Sequence, residues 1–305
     1  METASRTASQ SLRHNFMTFV LRTAWVFAYC ALVVAGNLPT LRALFEFSNQ
    51  NATASYVLLI PLVTLVLVYQ ERDTIFSDVR FDWPAALPFI VAGAALTGGG
   101  FWGQPSMAAD LTLRVAAIVL LWIGGFLLFY GQAAARRASF PLVFLLFTIP
   151  IPARLLDAGV QVLKHGSTEA VSALFALTGQ VYRRDGFVFS LPGVVIEVAD
   201  ECSGIRSSIG LLLTSLLASH MFLKNAWTKS VLILFVLPLA ILKNAIRIVS
   251  LTLLSIHVDP GFLTGQLHHE GGIVFFALTL ALAFPILVLL RSLEVRRIRP
   301  RPLPV

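Results

Sequence analysis

The stretch Ile273-Val-Phe-Phe-Ala-Leu-Thr-Leu-Ala-Leu-Ala-Phe-Pro-Ile-Leu-Val-Leu-Leu290 carries no charged side chain. It is too long for a buried strand and close to the roughly 20 apolar residues with which a helix crosses the hydrocarbon core of a bilayer. Seven further apolar stretches lie upstream, at residues 16–36, 55–69, 84–102, 115–130, 140–150, 209–223 and 231–256. Over all 305 residues, 57% are hydrophobic and 13% charged, against about 45–50% and about 25% in soluble domains. The mean hydropathy is +0.80. The sequence therefore predicts an all-α integral membrane protein of about eight transmembrane helices, one domain over residues 1–305. Eight crossings use about half of such a chain, which excludes a separate soluble domain of ordinary size.

Downstream of Leu290 the tail, residues 291–305, holds Arg291, Arg296, Arg297, Arg299 and Arg301. The net charge of +7 is read first as topology, not as a nucleic-acid surface, because cytoplasmic loops of membrane proteins concentrate Lys and Arg. With a cytoplasmic N-terminus, the inner segments hold Arg6 and Arg13, Arg72 and Arg80, Arg136 and Arg137, Lys224 and Lys229, and then the tail. An even number of spans returns the C-terminus to the same side, so the expected location is the cell (inner) membrane with both termini cytoplasmic. The first stretch exceeds a usual signal-peptide core and reads as an uncleaved anchor. Residues 155–177 are apolar on average but carry Asp157, Lys164, His165 and Glu169, which predicts an amphipathic helix on the outer face. Residues 179–204 read as a short outer-face hairpin, two strands around Leu191-Pro192-Gly193.

Three polar clusters interrupt this pattern. Just before the opening stretch, and outside in this topology, stands His268-His269-Glu270-Gly271-Gly272. A histidine there can act as general base and acid; two solvated loop histidines are the bland alternative. No second histidine follows at the His-Glu-x-x-His spacing, so no metal is expected. The run Asp200-Glu201-Cys202-Ser203-Gly204-Ile205-Arg206 leads into the sixth span. A thiolate at a helix start gains from the helix dipole and from Arg206, while Glu201 opposes it; the alternative is a small buried thiol. Cys30, inside the first span, reads as packing. The third cluster, Lys243-Asn244-Ala245-Ile246-Arg247, lies within the seventh span, where a central cation costs roughly 2.5–3.5 kcal/mol on insertion scales. Four residues apart, Lys243 and Arg247 share a helical face. Snorkelling suits Arg247 better than the deeper Lys243; in a site, a guanidinium can hold a carboxylate or an oxyanion.

A cysteine, an arginine and a histidine from three spans, all on one membrane face, match the roles of cysteine acyl transfer. The main competitor is an anion- or lipid-handling transporter that uses Lys243 and Arg247, although inverted repeats and paired broken helices are not visible. A serine protease built on Gly166-Ser167 lacks the Gly-x-Ser-x-Gly setting.

On these motifs the chain resembles the exosortase/archaeosortase family of multi-pass membrane transpeptidases. The resemblance covers about residues 140–276. It rests on Pro141-Leu-Val-Phe-Leu-Leu-Phe-Thr-Ile-Pro-Ile-Pro152, Glu201-Cys-Ser-Gly-Ile-Arg-Ser207, Asn244-Ala-Ile-Arg247, and His268 followed by Gly272, Phe275 and Phe276. It implies Cys202 as nucleophile, Arg247 as oxyanion or substrate stabiliser, and His268, four residues before Gly272, as the catalytic histidine, with His269 as the alternate. It implies partner proteins bearing a C-terminal signal (a Pro-Glu-Pro-like motif, one transmembrane helix, a basic cluster), cleaved at the outer face through a thioester. An envelope or extracellular-polysaccharide-linked acceptor would resolve that thioester, without a cofactor. Lys243, Asn244, Arg206, Arg183 and Arg184 are the expected substrate-binding residues, the last two meeting an acidic motif residue or lipid phosphates.

Overall fold

The computed structural model describes residues 20–98, 107–200, 204–263 and 272–298. The chain forms two compact units, Met1–Ala153 and Arg154–Val305.

The first unit contains α1 (Val20–Gly36), α2 (Leu38–Gln50), α3 (Leu59–Gln70), α4 (Arg72–Ile75), α5 (Trp83–Gly98), α6 (Met107–Arg137) and α7 (Ser139–Phe144). α1 and α2 meet at 68°. Pro39, in the first turn of α2, has no N–H to continue the ladder of α1, and the Asn37 side chain turns back to donate to the Val33 carbonyl at 2.9 Å. α6 kinks at Gly131. The carbonyls of Leu128 and Tyr130 there accept the N–H groups of Asp82 at 3.1 Å and Arg80 at 3.3 Å, so the kink leaves these two acceptors satisfied.

The second unit opens with α8 (Ala153–Leu177) and continues through β1 (Arg183–Asp185), β2 (Val188–Leu191), β3 (Val194–Glu197), α9 (Ile205–Phe222), α10 (Ala226–Leu234), α11 (Val236–His257) and α12 (Gly272–Ile298). The strands form an antiparallel meander in the order β1-β2-β3, with Phe189 opposite Ile196 and Arg184. The region expected as two strands thus contains three. Along β2, Phe189 and Leu191 are buried while Ser190 is exposed, the period-2 alternation of a one-sided sheet. α8 buries Leu163, Ser167, Val171 and Phe175, one stripe at four-residue spacing, together with Thr168. Phe175, Tyr182 and Phe189 meet in tilted and edge-on pairs at 5.6–5.8 Å between ring centroids and pin the sheet to α8. The amphipathic helix therefore spends its apolar stripe on protein.

Side-chain packing gives the helix directions. A Cβ added to Gly210 of α9 would touch the Phe276 ring of α12 at 3.5 Å, and Leu223 packs with Leu287 and Leu290 further on. α9 and α12 therefore run the same way. α11 runs against them: Leu211 clusters with Val236 and Ala240, whereas Gly204 lies beside Lys243 and Asn244. α8 follows α11, since Leu163 clusters with Ala240, Ser167 meets Asn244, and Val171 and Phe175 pack with Ala245 and Val249. Toward one end of the unit lie the sheet and the second halves of α8 and α11, and the first turn of α9 sits level with the middle of both helices, beside Lys243, Asn244 and Ser167.

Among the described residues, five helices are long and apolar enough to cross a membrane: Ala52–Gln70, Asp110–Arg137, Ile205–Phe222, Ala226–His257 and Val274–Arg296. The count reaches seven if two broken pairs, Val20–Gly36 with Leu38–Gln50 and Ser139–Thr148 with Ala153–Leu177, are each one span. Among the described residues the expected eight are not confirmed. Of the other three expected stretches, 16–36 and 140–150 each form one half of a bent pair, and 84–102 contains the shorter apolar helix Trp83–Thr97 among the described residues.

Candidate active site

Cys202 lies outside the described residues, as do Glu201, Ser203, His268 and His269; the chain on either side of them is described. Gly204 begins α9 with φ of +72°, the left-handed region that disfavours every residue with a Cβ. Its surroundings demand glycine a second time: a Cβ would stand 3.0 Å from Lys243 Nζ and 3.1 Å from Asn244 Oδ1. The Gly204 carbonyl accepts three donors from the first turn of α9, Ser207 Oγ and Ser208 Oγ at 2.9 Å and Ser208 N at 3.0 Å. Lys243 Nζ donates to Ser207 Oγ. A cation from α11 is thereby joined to the turn that follows Cys202.

Lys243 is 3% exposed and Asn244 is fully buried. Asn244 donates through Nδ2 to Ser167 Oγ of α8 at 3.0 Å, and Ser167 is also fully buried. α8 approaches α11 closely at this level because residue 166 is glycine; a Cβ there would meet Ile241 Cδ1 at 2.5 Å. Arg247, one turn beyond Lys243 toward the sheet end, is half-buried.

On the other flank of Cys202, Asp200 pairs with Lys164 of α8 at 2.9 Å. The Lys164 ammonium also lies over the Phe187 ring, 4.4 Å from its centroid, and Phe187 accepts the backbone N–H of Val198 at 3.0 Å. The described residues on the two flanks are thus tied to different helices, Asp200 to α8 and the Gly204–Ser207 turn to α11.

A family model described as transmembrane exosortase (Exosortase_EpsH) matches residues 48–285. The chain belongs to the transmembrane exosortase family. The match starts well before Phe140, so the first unit carries family character that no short motif in it displays. No curated protein and no solved structure matches the chain.

Within this exosortase-family chain the remaining substrate-binding candidates separate. Arg206 is exposed on the first turn of α9. Arg183 and Arg184 are exposed on β1, and Arg184 is committed locally: it donates to Glu169 Oε1 at 2.7 Å, to Ser172 Oγ at 3.1 Å and to the Gly186 carbonyl at 2.9 Å. The hydrogen bond to the Glu169 carboxylate pushes the Arg184 guanidinium pKa up from an already high value. Ser167, Ser207 and the Lys164–Asp200 pair were missed from sequence. Lys164 in a mostly apolar helix and Ser207 in the motif run were visible, but their partners lie 36 residues away.

Proposed function

We propose that this chain is a protein-sorting cysteine protease and transpeptidase that cuts a C-terminal tripartite signal, with Cys202 as nucleophile. The observation that carries the reading is a shared region of the second unit. Asp200 and Gly204 on either side of Cys202, Arg247, and the start of α12, which follows His268 by four residues, all belong to that region. In this reading the described chain next to Cys202, Arg247 and the described chain after His268 share one region, and the thiol, guanidinium and imidazole of these three residues are the set that acyl transfer uses. The family membership supports this reading over a transporter.

In the proposed reaction the Cys202 thiolate attacks the scissile carbonyl carbon, and Arg247 stabilises the oxyanion. The C–N bond breaks, the leaving amine takes a proton from the His268 imidazolium, and a thioester remains. An acceptor nucleophile then gives its proton to the imidazole, attacks the thioester carbon and releases the thiolate. An envelope amine or hydroxyl, including one linked to extracellular polysaccharide, gives transfer, and water gives hydrolysis.

The proposed orientation is in the inner membrane with both termini cytoplasmic and the sheet end outside, which takes the shorter apolar helix Trp83–Thr97 as a crossing in addition to the seven. Lys224, Lys229, Arg291 and Arg296 collect at the opposite end of the unit, as the positive-inside rule asks. A substrate helix with its basic cluster on that side lifts its short motif to the level of Cys202. There Arg206 and Arg183 are exposed for an acidic side chain.

The test is processing of a protein bearing a tripartite signal, coexpressed with the parent chain and with Cys202→Ala, Cys202→Ser, Arg247→Ala, His268→Ala and His269→Ala. Loss of cleavage in the Cys202, Arg247 and His268 variants at normal protein levels is expected. Normal processing by Cys202→Ala sinks the reading, and loss in His269→Ala with His268→Ala intact moves the acid-base role to His269.

A further inference from the structure

Lys243 does more than the sequence suggested for it. A lysine at a helix centre ordinarily reaches for water or for a ligand. This one is 3% exposed, and its ammonium reaches across to Ser207 of another helix. Ser207 Oγ in turn donates to the Gly204 carbonyl, which also receives Ser208 Oγ and Ser208 N. The chain from α11 to the motif run is therefore continuous: Lys243 Nζ, Ser207 Oγ, Gly204 carbonyl. Gly204 stands two residues after Cys202, and Lys243 one helical turn before Arg247.

We propose that Lys243 is a positioning residue: through Ser207 and the Gly204 carbonyl it fixes the turn that opens α9, two residues after Cys202, against the helix that carries Arg247. The assignment rests on the function proposed above and deepens it. It replaces a substrate-contact role for Lys243, because a side chain this enclosed and already bonded to α9 presents no surface to a docking peptide. Two features of the same contact agree with it. Glycine at 204 leaves room for the ammonium where a Cβ would stand 3.0 Å away. Asn244, the next residue, anchors the same stretch of α11 to Ser167 of α8, so the lysine acts from a held backbone. The Lys164–Asp200 pair holds the opposite flank of the cysteine, and the Lys243–Ser207 hydrogen bond joins the motif turn to the arginine helix beside the apolar packing of Ile205.

The experiment uses the full chain in native membranes, with Cys30→Ser as background so that Cys202 is the sole thiol. Lys243→Met, Lys243→Gln, Ser207→Ala and the Lys243→Met/Ser207→Ala double variant are compared in two assays. One is steady-state processing of the signal-bearing substrate; the other is the rate of Cys202 alkylation by N-ethylmaleimide. Displacing a reacting group by about 1 Å costs on the order of 100-fold, so Lys243→Met and Ser207→Ala are each expected to lower kcat by about 10- to 100-fold with KM nearly unchanged. The double variant should be no worse than the poorer single one, and Lys243→Gln, which keeps a donor, should recover most of the loss. Alkylation should change by the same factor in both singles and in the double. Effects that multiply, a loss confined to KM, glutamine as poor as methionine, or alkylation identical to the parent would each overturn the proposal. Failure of the broader reading looks different: Cys202→Ala would still process the substrate, while alkylation would continue to report whether Lys243 and Ser207 act as one unit.

Discussion

Ser167 of α8 accepts a hydrogen bond from Asn244 of α11 at 3.0 Å, with both side chains fully buried. This bond lies at the level where Gly204 meets Lys243 and Asn244, so it ties the helix that precedes the sheet to the helix that carries Arg247. The serine of Gly166-Ser167 is accordingly a structural partner. Ser167→Ala removes an acceptor from a buried amide and is expected to cost about 1–3 kcal/mol. Thermal or denaturant unfolding of the detergent-solubilised chain measures it; a stability equal to the parent's would show that the bond contributes nothing net.

Gly204→Ala should be among the most damaging single-methyl changes in the molecule. The left-handed backbone alone costs an alanine roughly 1–2 kcal/mol, and the new methyl presses on the Lys243 ammonium. Asparagine tolerates the left-handed region better but fills the same space. Gly204→Asn should therefore relieve part of the stability loss and still impair processing. Full recovery of processing by asparagine would mean that the contact with Lys243 is unimportant.

Lys164 and Asp200 hold the chain just ahead of Cys202. Asp200 is 55% exposed, so the ion pair itself should contribute no more than about 1 kcal/mol to stability. Its larger effect is expected on turnover. Asp200→Asn and Lys164→Gln should each slow processing several-fold, and the double variant should match the slower single variant. A double-mutant cycle on kcat with independent effects would contradict a shared anchoring role.

At the far end of the unit, Glu294 of α12 holds the chain that enters α10. Its carboxylate accepts the N–H of Asn225 at 2.9 Å, that of Lys224 at 3.0 Å, and the Thr228 hydroxyl, while the Asn225 side chain makes no cap bond of its own. Glu294→Ala leaves these donors without their acceptor and should cost about 1–3 kcal/mol. Glu294→Gln, which keeps one acceptor oxygen, should lose less. Unfolding in detergent distinguishes the two, and equal losses would point to charge in place of hydrogen bonding.

Much of the spanning structure was legible because apolar runs report their own burial. Residues 55–69, 115–130, 209–223, 231–256 and 273–290 correspond to the five long apolar helices. Two of the other stretches border a proline: Pro39 marks the bend between α1 and α2, just after the first, and Pro150 with Pro152 ends the fifth. The extra strand β1 reads Arg183-Arg184-Asp185, without an apolar alternation to betray it. It is a strand because its backbone pairs with β2 and because Arg184 reaches Glu169, conditions that exist only after α8 and the sheet have come together.

For the site, the sequence by itself determined which residue types were present and on which elements they sat. Buried cations in an apolar helix, a Cys-Ser-Gly turn and paired histidines are legible because each violates its local apolar pattern at an energetic cost. Only the tertiary structure decided what the two most buried members do. Lys243 and Asn244 face α9 and α8 because α11 runs antiparallel to the one and parallel to the other, and that geometry pairs them with Ser207 and Ser167. Helical periodicity assigns a side chain to a face; the direction and closeness of the neighbouring helices, set here by packing and by glycines at 166 and 204, decide what that face meets.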